Sequence, residues 1–156
     1  MIKIAMIEDD LELAEVLSLY LKQFNIEVVN FEEPFLALSS LKLQKFDLLI
    51  LDLTLPEIDG LELTKRIRRI FPKDELSVII VSNDPCKKIP TKFLKYGAND
   101  FLYKGFSNEE FFARINSNIE ILELFEEIKN KALSTWSISM IFLSFSSYII
   151  TVSKIP

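Results

Sequence analysis

Apolar and polar positions alternate along most of this chain in two rhythms, one short and continuous, the other helical. Ile2–Ile7 is mostly apolar, interrupted only by Lys3, and Glu8, Asp9 and Asp10 follow at once. Leu11, Leu13, Ala14, Leu17, Leu21 and Phe24 then recur at the spacing of one helix face. Ile26–Val29 is a short β-branched stretch around Glu27. From Pro34 to Leu43 the pattern is helical, with Phe35, Leu36, Leu38, Leu41 and Leu43 apolar. Leu48–Leu51 is a continuous apolar run ending at Asp52. Pro56 and Asp59-Gly60 mark a turn. Leu61, Leu63, Ile67 and Ile70 form the next amphipathic helix, which Pro72 ends. Leu76–Val81, broken only by Ser77, is another buried-strand run and stops at Ser82. After a loop at 83–88 a short helix runs to Tyr96, with Gly97 as its C-cap. Asp100–Tyr103 is a short strand ending at Lys104. Ser107 opens a long helix, and Ser107 with Glu110 has capping-box spacing.

Five strand–helix units in succession predict an α/β fold with a parallel sheet covered by helices on both faces. Runs such as Leu48–Leu51 are apolar throughout, as strands buried on both faces require. Crossovers of this kind are right-handed. About 120 residues suit a doubly wound five-stranded sheet of order 2-1-3-4-5, followed by an extended C-terminal helix.

Composition adds exclusions. Among 156 residues there are 18 Lys plus Arg and 23 Asp plus Glu, for a net charge of −5. The overall balance is acidic, so direct nucleic-acid binding is not expected. There is no histidine, which excludes a His-dependent triad, a His-ligated zinc and a phosphohistidine within the chain. A single cysteine, Cys86, excludes an internal disulfide and reads as an incidental loop thiol. The first ten residues lack the long apolar run of a signal peptide, and a cytoplasmic location is expected.

Polar residues fall where an open parallel sheet puts its ligands, beyond the carboxyl ends of the strands. Glu8 and Asp9 follow the first strand, Asp52 the third, Ser82 the fourth and Lys104 the fifth. Three clustered carboxylates repel one another and call for a cation. An all-oxygen donor set suits Mg²⁺, and Lys104 supplies charge for a phosphoryl group. Taken singly, each residue has a plainer reading. Glu8–Asp10 could be helix-start acids, Asp52 and Ser82 turn residues, and Lys104 a solvated surface lysine.

Together they carry a resemblance. Ile7-Glu8-Asp9-Asp10, Ile50-Leu51-Asp52-Leu53 with Pro56 and Gly60, Val81-Ser82 and Tyr103-Lys104 resemble the motifs of bacterial two-component response regulator receiver domains, over about residues 1–125. The resemblance implies a flavodoxin-like fold and a signalling switch rather than an enzyme. It implies Asp52 as phosphoacceptor, modified by a sensor histidine kinase or phosphotransfer protein. It implies Mg²⁺ held by Asp9 and Asp52, by Glu8 through water and by the Thr54 carbonyl. Lys104 would bind the phosphoryl group, Ser82 would be the switch hydroxyl, and Phe101 stands at the switch aromatic's position. Two residues depart from the pattern. Gly105 follows Lys104 where proline is usual, and Asn83 follows Ser82 where Ala or Gly is commoner.

Rival functions fail on particular residues. A haloacid-dehalogenase-type phosphatase needs a second acid two residues after the first, and Thr54 stands there. An FMN binder needs a phosphate loop after the first strand, and that loop is acidic here. A degenerate receiver acting as a phosphorylation-independent interaction module is the alternative left open by Gly105 and Asn83.

Charge then splits the chain. All 23 acids and 17 of the 18 bases lie in residues 1–131, and 17 minus 23 gives −6 there. From Ala132 to Ser153 there are 22 consecutive uncharged residues, seven of them serine. Ile121, Phe125, Ile128 and Ala132 have heptad spacing, so residues 107–131 read as the last receiver helix extended for signalling and homodimerisation. Packing of that helix on its own sheet is the plainer alternative. Residues 132–156 are too few for a winged-helix DNA-binding domain. They form an apolar, Ser-rich tail with β-like stretches in Trp136–Ile150. Three readings of it rank in order: the remnant of a truncated or frame-shifted output domain, a hydrophobic partner-binding tail, and a membrane anchor.

Overall fold

The computed structural model describes residues 1–55, 58–83 and 88–152, with backbone alone for 88–90 and 142–152. Pro56 and Cys86 lie outside the described residues. Five strands, β1 (Ile2–Ile7), β2 (Ile26–Phe31), β3 (Leu48–Asp52), β4 (Ser77–Ser82) and β5 (Asp100–Tyr103), alternate with five helices. The helices are α1 (Leu11–Lys22), α2 (Pro34–Leu43), α3 (Gly60–Arg68), α4 (Lys88–Lys95) and α5 (Asn108–Val152). All strand pairs are parallel and their order is β2-β1-β3-β4-β5, as the alternation predicts.

The chain divides into two compact units, Met1–Leu122 and Glu123–Pro156. In the first, successive strand residues point to opposite faces and build two cores. Ala5, Ile7, Leu49, Leu51, Val78 and Ile80 pack with Ala37, Leu41, Leu63, Ile67 and Phe93 of α2, α3 and α4. Ile4, Met6, Leu48, Ile50, Ile79 and Val81 pack with Ala14, Leu17 and Leu21 of α1 and Phe111, Ile115 and Ile119 of α5. Every residue of β3 and β4 is buried, the requirement of a central strand covered twice.

Local signals place the helix starts. Asp10 caps α1 by accepting the Leu13 N–H at 3.1 Å, and Asp59 caps α3 by accepting the Leu61 N–H at 3.0 Å. Ser107 Oγ accepts the Glu110 N–H at 3.1 Å at the start of α5. Gly97 ends the α4 segment with φ of +115°, a conformation that favours glycine.

Two elements run beyond their sequence signals. The β2 strand continues past Val29 to Phe31 because it pairs with β1 along its whole length, from Ile2 opposite Ile26 to Ile7 opposite Phe31. The β-like stretches read in Trp136–Ile150 are helical instead, since α5 continues to Val152. No glycine or proline interrupts it, and the hydroxyls of Ser134, Thr135, Ser137 and Ser139 turn back onto the helix backbone. Ser137 Oγ donates to the Leu133 carbonyl at 2.9 Å, and Ser139 Oγ to that of Thr135 at 3.0 Å. In the second unit Leu124, Phe125, Ile128, Leu133, Trp136 and Ile141 are exposed. Among the described residues no helix is long and apolar enough to cross a membrane.

Candidate phosphoacceptor site

Register brings the chemistry-bearing residues to one edge of the sheet. Ile7 lies opposite Leu51, Asp52 opposite Val81, and Ser82 opposite Tyr103. The residues that follow or end these strands are therefore neighbours although far apart in sequence. Glu8 and Asp52 are buried, at 4% and 2% exposure, while Asp9 is exposed. Carboxylate oxygens of Glu8, Asp9 and Asp52 lie within 4.8 Å of one another.

Lys104 spans the two buried acids. Its Nζ stands 2.8 Å from Asp52 Oδ2, 2.9 Å from Glu8 Oε2 and 3.1 Å from Glu8 Oε1. Two backbone donors complete the frame. The Thr54 N–H donates to Asp52 Oδ1 at 3.0 Å, and the Asp10 N–H donates to Glu8 Oε1 at 3.1 Å. Asp52 is thus held at both oxygens, by an ammonium and by an amide.

Burial pushes the Glu8 carboxyl above its usual range. Bonds from Lys104 and Asp10 pull it down, and the nearby Asp52 charge pushes it up again. For Lys104 burial opposes the charge, but its bonds to Asp52 and Glu8 outweigh that effect and leave its pKa raised. Two acids and one base in close contact carry a net negative charge, which suits a divalent cation better than a second anion. The donors offered are all oxygen, and that set fits Mg²⁺.

The remaining residues singled out in the sequence lie around this cluster. Ser82 is buried at the end of β4, and its carbonyl accepts the Lys104 N–H at 2.8 Å. Thr54 and Asn83 are exposed beside it. Phe101 is buried, and its ring meets that of Tyr103 edge-on with centroids 5.0 Å apart. Gly105 is exposed with φ of +99°, and an added Cβ there would meet nothing within 4 Å. The described residues contain no cis peptide bond.

One participant is nearly silent in the sequence. Asn30, near the end of β2, donates from Nδ2 to the Glu8 carbonyl at 3.1 Å. Its only sequence signal is an amide closing a β-branched run.

Residues 4–116 match the family model of the response regulator receiver domain. The chain belongs to that family. It is 37% identical over 117 residues to the response regulator ArlR of Staphylococcus haemolyticus, which covers 75% of this chain and 52% of ArlR. It is 32% identical over 109 residues to the cyclic di-GMP phosphodiesterase response regulator RpfG of Xanthomonas campestris, covering 70% of this chain and 29% of RpfG. A solved two-component response regulator/GGDEF domain protein superposes with a TM-score of 0.74 at 29% identity, covering 78% of this chain and 50% of that one. This receiver chain therefore spans about half the length of ArlR and less than a third of RpfG. As a receiver domain it is a signalling switch, and its acidic cluster lies where the sheet topology predicts a ligand.

Proposed function

We propose that this receiver accepts a phosphoryl group on Asp52 from the phosphohistidine of a partner sensor kinase or phosphotransfer protein, in the cytoplasm. One observation carries the reading. Asp52 is buried at the carboxyl end of the central strand, with Lys104 on one oxygen and two further carboxylates within 4.8 Å.

Asp9 and Asp52 would hold Mg²⁺ directly, Glu8 through water, and the Thr54 carbonyl would add a fourth oxygen. When bound, the cation supplies neutralising charge for a transferring phosphoryl group. The chain's own residues do the rest. A carboxylate oxygen of Asp52 attacks phosphorus, the donor's P–N bond breaks, and its electron pair leaves with the imidazole. Lys104 is poised to follow the charge from the carboxylate to the phosphoryl oxygens, because its ammonium already reaches Asp52 Oδ2. The product brings more negative charge and new acceptor oxygens to a buried edge. Ser82, beside Asp52 at the neighbouring strand end, can donate to one of them, and inward movement of its loop would leave new room near Phe101.

No bond is catalysed on a second molecule in this scheme. The only chemistry is uptake and loss of the phosphoryl group on Asp52. Output passes through conformation and, in this reading, through pairing of two chains along α5, whose Phe125 and Ile128 are exposed.

The test is intact mass after incubation with Mg²⁺ and a small phosphodonor. One added phosphoryl group in the native chain and none in Asp52→Asn is the expected result. Equal addition in both would refute Asp52 as acceptor.

A further inference from the structure

Asn30 is half-buried near the end of the edge strand β2, opposite Met6 of β1. Its Nδ2 reaches over the end of β1 and donates to the Glu8 carbonyl at 3.1 Å. Its Oδ1 is fully shielded from solvent and has no hydrogen-bond partner among the described residues. This amide is therefore satisfied on its donor side only. A buried acceptor left unpaired is unfavourable for the fold, and that penalty offsets what the donated bond to the Glu8 carbonyl contributes. Stability alone gives little reason for an amide at this position.

The donor side supplies the reason. The carbonyl it holds belongs to the peptide between Glu8 and Asp9. The same short loop is tied by the Asp10 N–H to Glu8 Oε1 and by the Asp10 cap on Leu13. Those ties fix the Glu8 side chain and the helix start. Among the described residues, only the Asn30 bond fixes the orientation of the Glu8–Asp9 peptide plane from outside the loop. Asp9 itself is exposed on the loop. Rotation of that peptide plane would swing Asp9 relative to Glu8 and Asp52, whose oxygens now lie within 4.8 Å of its own.

We infer that Asn30 is a positioning residue for divalent-cation binding, setting the Glu8–Asp9 peptide so that the Asp9 carboxylate meets those of Glu8 and Asp52. This rests on the reading of the acidic cluster as a Mg²⁺ site. Asn30 touches no reacting atom and acts through the loop backbone, as outer-shell partners of metal ligands do.

The experiment uses the full chain, with Asn30→Ala, Asn30→Leu and a remote core variant, Leu41→Ala. Each is titrated with Mg²⁺ by calorimetry. Metal-free thermal midpoints and amide hydrogen exchange at Glu8–Leu11 are measured beside it. Expected are a loss of Mg²⁺ affinity of about tenfold in both Asn30 variants, faster metal-free exchange confined to the loop, and a midpoint near that of the native chain. Leu41→Ala should lower the midpoint and leave affinity unchanged. Native affinity in the Asn30 variants, with native binding intact, overturns the inference. So does a loss of affinity that Leu41→Ala reproduces. Failure of the native chain itself to bind Mg²⁺ would instead refute the metal site on which the inference rests.

Discussion

Lys104 Nζ stands 2.8 Å from Asp52 Oδ2, although 52 residues separate the two in the chain. Both side chains are largely withdrawn from water, at 14% and 2% exposure, so the pair is screened far less than a surface ion pair. Removing the base would leave Glu8 and Asp52 buried side by side without a counter-charge. Lys104→Ala should therefore destabilise the metal-free chain by about 3–5 kcal/mol. Added Mg²⁺ should recover part of that loss, read as a larger Mg²⁺-induced rise in thermal midpoint than in the native chain.

The same contact sets an alkaline limit. The Lys104 pKa in the fold is raised above its ordinary 10.5. Its stabilising contribution is complete below that value and is lost as pH rises through the folded-state value. The metal-free midpoint should fall above about pH 10.5, and Lys104→Met should flatten that fall. Circular dichroism melts across pH 8 to 12 would decide.

Glu8 works in the opposite sense at neutral pH. Its pKa is raised above 4.5, chiefly by burial, so the fold favours the protonated acid. That stabilisation is present below 4.5 and lost as pH rises through the folded-state value. Glu8→Gln should then raise the metal-free midpoint at pH 7 while weakening Mg²⁺ binding about tenfold. Melts and Mg²⁺ titration on the same sample separate the two effects.

Arg68 ties together parts of the first unit remote from the site. Its guanidinium donates to the carbonyls of Gly97 at 2.6 Å, Leu76 at 2.8 Å and Phe71 at 3.0 Å, and to Asn99 Oδ1 at 2.6 Å. Burial pushes its pKa down to about 10, still charged at neutral pH. Arg68→Met should lower the urea midpoint, with about 1–3 kcal/mol lost for each acceptor stranded without a partner. Arg68→Lys should not restore it, because a lysine cannot present donors in a planar fork.

At Gly105 a substituted side chain would meet strain in the backbone alone, since φ is +99° and an added Cβ meets nothing within 4 Å. Gly105→Ala should cost about 1–2 kcal/mol. Gly105→Pro should cost more, because the ring requires φ near −65° and would reorient the peptide that follows Lys104. Slower phosphoryl uptake in the proline variant, followed by intact mass, is the accompanying expectation.

Much of the fold and of the acidic site is legible in the chain's own pattern. Leu48–Leu51 and Val78–Val81 are apolar throughout and rich in Leu, Ile and Val, the pattern of a strand covered on both faces. Glu8, Asp9, Asp52, Ser82 and Lys104 can be placed at strand ends because each stands where an apolar run stops. Asn30 cannot, because its role is a side-chain bond to a carbonyl 22 residues away. Arg68 reads as a base in the last turn of a helix, a position that needs no further explanation. The helical backbone of Trp136–Ile150 is obscured by Ile, Phe and Ser, which favour strands or turns in isolation.

Burial periodicity and turn chemistry are local properties of the chain, and they suffice for the alternation of elements, the family and the polar residues that close β1, β3, β4 and β5. Folding brings Lys104 across Glu8 and Asp52, Asn30 onto the acidic loop, and Arg68 from α3 to the loop before β5. Those relations depend on strand order and register, which bring together residues as many as 96 positions apart. No local pattern encodes that distance.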